Sequence, residues 1–146
     1  MDIPLEIRLS LRQGTVYYMA ERQLTSIEPH YFVVVNREPL RDRVLLLLVV
    51  TSQVEKARQR VARKTLPAET LVEIRQTEYG AFSKDSCVDC NKVFTKSLEE
   101  LCQQWTRKEI RGEIDLPPIL LGQLVRGVQA SPLVTGDEKS KVLPLG

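Results

Sequence analysis

Long apolar runs are scarce in this chain. The two longest, Val44 to Val50 and Tyr31 to Val35, fall far short of the ~20 residues a membrane helix needs. That excludes a spanning helix. Charge of one sign is also lacking: 21 Lys and Arg stand against 19 Asp and Glu, a net charge of +2. This is not the balance of a protein that coats nucleic acid by its global charge, so an anionic partner must be met by a local patch. Cysteine is sparse as well. Cys87, Cys90 and Cys102 are an odd number, which speaks against a disulfide framework. The start, "MDIPLEIRLS", has acids and a proline where a secretory signal carries basic residues and an apolar segment, and the expected location is cytoplasmic. Hydrophobic residues nonetheless make up 42% of 146 residues and charged residues 27%, enough to bury a core in one globular domain without metal or disulfide staples.

What is present reads mainly as short strands. From Leu5 to Leu11 apolar residues alternate, predicting an extra N-terminal strand. "TVYYMA" and "HYFVVVN" predict two more, separated by the polar loop "ERQLTSIEP". "RVLLLLVV" is too uniformly apolar for an exposed sheet and predicts a central strand. Helical spacing of Val54, Ala57 and Val61 then predicts a short helix ended by Pro67. "TLVEIRQ" and "SCVDCNKVF" predict later strands, and "RKEIRGEID" a short strand or turn. Ser97 with Glu100 has capping-box spacing for a helix to about Trp105. Leu116-Pro117-Pro118 opens a final helix with an apolar stripe of Ile119, Leu120, Leu124, Val125 and Val128. The expected fold is a small barrel, mainly β with α, as one domain over residues 1–130 with a C-terminal helix across one side. Residues 131–146 are expected to form an irregular tail.

The stretch "VLLLLVVTSQVEKARQR" ends a buried strand in Thr51, Ser52 and Gln53, next to Lys56, Arg58, Arg60, Arg63 and Lys64. Hydroxyls at a strand end commonly bond their own backbone, and a basic helix face is commonly just solvated. Together with cations, however, the same groups suit a phosphate. His30, the single histidine, sits at the mouth of an apolar strand, and imidazole is the side chain suited to proton transfer at physiological pH. A ribonuclease without metal needs a base for the 2′-hydroxyl, an acid for the leaving oxygen, and donors or cations for charge growing on phosphorus. His30, Thr51, Ser52 and the arginines are of those types. Cys87-Val88-Asp89-Cys90, with Cys102 and His30, formally completes a zinc set, but no second pair stands at ligand spacing, and small buried side chains are the expected reading.

"GTVYYM", "HYFVVVN", "VVTSQVEKAR", "TLVEI" and "YGAFSKDSCVDCNKV" occur in an order and spacing that resembles the MazF/PemK family of toxin ribonucleases, over roughly Gly14 to Phe94. The resemblance implies an SH3-like barrel, a homodimer, and metal-independent, cofactor-free cleavage of single-stranded RNA through attack by the 2′-hydroxyl. It also implies a small antitoxin partner over the RNA groove. Thr51 matches the threonine that contacts the scissile phosphate, Gly14 the glycine before the first core strand, and Ser86 the serine of the "DS" pair. Ser52, Gln53, Lys56, Arg58 and Arg60 join Ser86 as expected RNA contacts. One departure stands out: where active members carry Arg-Pro before the "VVV" strand, this chain has His30-Tyr31. Two readings follow. Either His30 takes over proton transfer in an endoribonuclease, or the barrel is a catalytically lapsed module that binds nucleic acid or protein.

Overall fold

The computed structural model describes residues 2–143. Its central strand, β3 (Val44–Thr51), explains its own composition. Leu46, Leu48 and Val50 face one hydrophobic cluster, while Leu45 and Leu47 face another. A strand buried on both faces has no place for polar alternation. Along its length β3 pairs antiparallel with β2 (His30–Val34), β6 (Phe94–Ser97) and β5 (Ser86–Asp89). β4 (Leu71–Ile74) extends the sheet beyond β5. On the other side, β1 (Val16–Met19) joins β2 and β7 (Ile110–Glu113). The result is a seven-stranded, wholly antiparallel sheet in which β3 belongs to both halves, the small barrel expected.

Helices cover it. α4 (Leu98–Thr106) starts at Ser97, whose hydroxyl accepts from Glu100 N, as the cap spacing predicts. It buries Leu98, Leu101 and Cys102 in the second cluster. α5 (Pro118–Ala130) lies across the short 3-10 turn Ala68–Thr70 and β4. Leu120, Leu124, Val125 and Val128 are buried in the first cluster, but Ile119 is exposed and outside the stripe. That stripe seals the barrel of its own chain. Gly127 is what allows the approach: a Cβ there would stand 2.7 Å from Cys90 Sγ and 2.9 Å from Glu69 O. Gly14, at φ +97°, bridges Val34 O and Leu116 N just before β1.

Three sequence expectations are corrected. Leu5–Ser10 is a helix, α1, rather than a strand. The alternation conceals a second stripe, Ile3, Ile7 and Leu11 at i,i+4 spacing, which packs on the second cluster while Leu5 and Leu9 are exposed. The segment after Ser131 is not irregular throughout. Thr135 and Glu138 form a capping box for α6 (Gly136–Lys141), and Val134 and Val142 enter the core. Residues 144–146 of the expected tail lie outside the described residues. "SCVDCNKVF" is also two strands, broken by a turn in which Asn91 N donates to Asp89 Oδ1 at 3.0 Å. A four-residue helical turn, α2 (Pro39–Asp42), precedes β3.

Candidate functional site

His30 opens β2 and Thr51 closes β3, so the antiparallel arrangement brings both to one end of the barrel. The β2–β3 ladder stops at Phe32–Val49, two residues short of them. Beyond it lie two grooves, of about 280 and 310 Å³, and His30, Thr51 and Gln53 line both.

The first groove adds Lys56 and Arg60 from α3 (Val54–Arg63), Lys92 from the β5–β6 turn, and Leu24 to Ser26 from the β1–β2 loop. Its acid, Asp89, is buried and already engaged: Oδ2 accepts from Arg60 Nε at 3.3 Å and Oδ1 from Asn91 Nδ2 at 2.8 Å. The groove is therefore electropositive. The second adds Ser52, Ser86 and Lys84, with Tyr18, Tyr31 and Phe82. These rings form a chain, with centroids 4.7 Å apart for Tyr18–Tyr31 and 5.0 Å for Tyr31–Phe82. Arg111 caps it, 4.6 Å above the Tyr18 ring. Phe82 is buried, so Tyr18 and Tyr31, both half-buried, are the rings that single-stranded bases can reach to stack on.

The local chemistry of the two central residues is specific. His30 Nδ1 is 2.9 Å from the carbonyl oxygen of Glu28, which can only accept. In the neutral ring, Nδ1 then carries the proton and Nε2 is left as the acceptor, a base in form. Thr51 Oγ1 accepts from Gln53 N at 3.1 Å, leaving its own proton free to donate. Ser86 is buried and donates to Lys84 O at 2.9 Å, so its hydroxyl oxygen remains an acceptor.

One expected contact does not join the others. Arg58 points away from both grooves, its Nε and Nη2 donating to Glu73 at 2.9 and 2.5 Å and its Nη1 to Glu55 at 3.2 Å. These bonds hold Glu73 below the usual carboxylate range and strengthen the charged form of Arg58. Arg58 and Arg60 are two residues apart, about 200° around a helix, and so serve opposite faces. Arg63 and Lys64 line neither groove. Lys92, Asp89 and the aromatic chain escaped the sequence reading, because Lys92 looked like part of a strand and the rings come from three distant segments. The cysteines are buried and free, and Cys90 packs in the first cluster while Cys102 packs in the second. Among the described residues no three His, Cys, Asp or Glu side chains converge as a metal site, and no helix is long and apolar enough to cross a membrane.

An antiparallel barrel of this topology, capped by helices and cleft at one strand end, has the MazF-type toxin fold, an SH3-like barrel. Among solved structures the chain is similar to an endoribonuclease in complex with its cognate antitoxin from a mycobacterial species, at 8% identity and a TM-score of 0.52, covering 86% of this chain and 96% of that one. It is also similar to a chain of the MazE–MazF structure from Deinococcus radiodurans, at 9% identity and a TM-score of 0.53, covering 82% and 92%. No family model and no curated protein sequence matches it. At these identities the likeness is one of fold.

Proposed function

We propose that this protein is a MazF-like endoribonuclease that cleaves single-stranded RNA without a metal. The observation that carries the reading is the meeting of His30 and Thr51 at the junction of a cationic groove and an aromatic one. In this scheme Nε2 of His30 takes the proton of a 2′-hydroxyl, whose oxygen attacks phosphorus. The P–O2′ bond forms and the P–O5′ bond breaks, leaving a 2′,3′-cyclic phosphate. The imidazolium returns its proton to the departing 5′-oxygen. Thr51 donates to a non-bridging oxygen as charge gathers there. Bases on either side of the scissile bond stack on Tyr18 and Tyr31. By the same likeness we infer a homodimer and a small antitoxin laid over the grooves.

The alternative, a barrel that binds without cutting, has one observation in its favour: no arginine occupies the place held by His30, and an imidazole is not a permanent cation. Long single-stranded RNA incubated in a chelator decides between them. The nuclease reading expects cyclic-phosphate ends, abolition of cleavage by His30→Ala with an unchanged melting curve, and a smaller loss for Thr51→Ala. If wild type is inert and His30→Arg gains cleavage, the barrel is a lapsed nuclease. If wild type and His30→Ala cut equally well, the assignment of His30 is wrong.

A further inference from the structure

Of the groove's cations, Arg60 alone has its head fixed. Its Nε donates to Asp89 Oδ2 at 3.3 Å, and its side chain is 30% exposed. Asp89 is itself immobilised. Its Oδ1 accepts from both the backbone N of Asn91, at 3.0 Å, and Asn91 Nδ2, at 2.8 Å. Asn91 is tied in turn: Nδ2 also donates to Thr70 Oγ1 at 2.9 Å, and Oδ1 accepts from Ser131 Oγ at 2.6 Å. All four of these polar residues are buried. A network running from the end of β5 to the segment after α5 thus ends in one guanidinium at the groove wall.

The manner of attachment matters. Arg58, on the opposite face of the same helix, spends Nε, Nη1 and Nη2 on carboxylates. Arg60 spends Nε alone, and among the described residues its two terminal nitrogens have no partner. A guanidinium anchored through Nε with its fork free is suited to two parallel hydrogen bonds onto phosphate oxygens. Lys56 and Lys92 line the same groove, but each is a point charge on a flexible stem, with no ion-pair partner among the described residues. A lone structural ion pair would not need a buried network of three further side chains behind its acid.

We propose that Arg60 is the catalytic cation of this groove, holding the non-bridging phosphate oxygens while charge develops, and that Asp89 is its positioning residue. The inference rests on the nuclease reading and deepens it, because it supplies the permanent charge that His30 cannot. Proton transfer and charge stabilisation are then divided between β2 and α3.

The test uses the full chain and a single-stranded RNA. Wild type, Arg60→Ala, Arg60→Lys and Asp89→Asn are compared for kcat, KM and thermal melting. Arg60→Ala should lower kcat about 10²–10³-fold, the usual cost of one donor at a developing oxyanion, with a much smaller change in KM. Arg60→Lys keeps the charge but not the fork, and should recover binding without recovering kcat. Asp89→Asn presents an amide N–H₂ or a neutral oxygen to Nε and should lower kcat in the same direction. Should Asp89→Asn fail to fold, the two Arg60 variants, at a partly exposed position, decide alone. A wild type that cleaves no faster than Arg60→Ala overturns the assignment of Arg60 while leaving the nuclease reading intact. A wild type that binds RNA without cleaving overturns the nuclease reading and the catalytic role with it.

Discussion

Lys96 and Glu21 form an ion pair sealed inside the protein, Nζ to Oε1 at 3.2 Å, with side-chain exposures of 0% and 2%. The contact is ionic and falls outside hydrogen-bond geometry for Oε1, whereas Lys96 also donates to Gln104 Oε1. It joins the β1–β2 loop to β6 and α4, and Gln23 Nε2 adds a bond to Thr95 O at 3.1 Å. The same loop forms part of the wall of the first groove through Leu24 to Ser26. Breaking one partner leaves an uncompensated buried charge, at a cost of about 3–5 kcal/mol. Lys96→Met should therefore lower the urea midpoint sharply, and adding Glu21→Gln should restore much of it. A double variant no better than the single would show that the pair does not act as a unit.

The glycines of α5 should respond in opposite directions. At Gly127 an added methyl meets Cys90 Sγ and Glu69 O below 3.0 Å. Gly127→Ala should thus destabilise by roughly 1–3 kcal/mol, overpacking outweighing helix propensity. At Gly122 the nearest atom is the flexible Arg126 Nη1, 3.4 Å away. There Gly122→Ala should stabilise by about 0.5–1 kcal/mol. Denaturant midpoints of the two variants check both.

RNA affinity should fall with salt, and the cations of α3 should divide by face. For single strands the slope of log K against log salt changes by about 0.7 for each neutralised phosphate. Lys56→Ala and Lys92→Ala should each flatten it. Arg58→Ala should not, its guanidinium being spent on Glu73 and Glu55. Equal effects of Lys56 and Arg58 would mean the RNA runs along a different face.

Stability should decline at alkaline pH. Burial pushes the Cys87 thiol from its ordinary 9.0 up to about 11, and raises Cys90 as well. The unfolded chain ionises these thiols first and so binds fewer protons than the folded one. Their contribution is fully present below pH 9 and is lost as pH rises towards 11, at up to ~1.4 kcal/mol per pH unit for each thiol. Tyr17 and Tyr79, also raised by burial, add to the loss above pH 10. Unfolding midpoints measured from pH 7 to 11 test this; a flat profile above 9 contradicts it.

The features legible in the sequence were those that depend on neighbours along the chain. β3 was plain from its unbroken apolar run, α3 from the spacing of Ala57 and Val61, and α4 from Ser97 and Glu100. α1 was misread because Leu5 and Leu9, exposed on the helix, completed an alternation that the buried Ile7 and Leu11 did not require. The box at Thr135 and Glu138 was written in the sequence too, but without the core contacts of Val134 and Val142 it resembled any polar tail. For the candidate site, chain position singled out His30 and Thr51. It could not separate Arg60 from Arg58, since that difference lies in which acid, Asp89 or Glu73, the sheet sets beside each face of α3.

β3 carries a further consequence for the chain while it is being made. Its neighbours β5 and β6 lie downstream, so synthesis must proceed past Ser97 before the edge of Val44–Thr51 opposite β2 can be paired along its length. Until then an uncharged, β-branched and leucine-rich segment has that edge open, the type of window that nucleates intermolecular pairing. Fragments ending before β5 should aggregate, whereas those that run through α5 should be recovered in the supernatant. The same burial on two faces that makes β3 the keel of the barrel makes it the chain's point of greatest exposure on the ribosome.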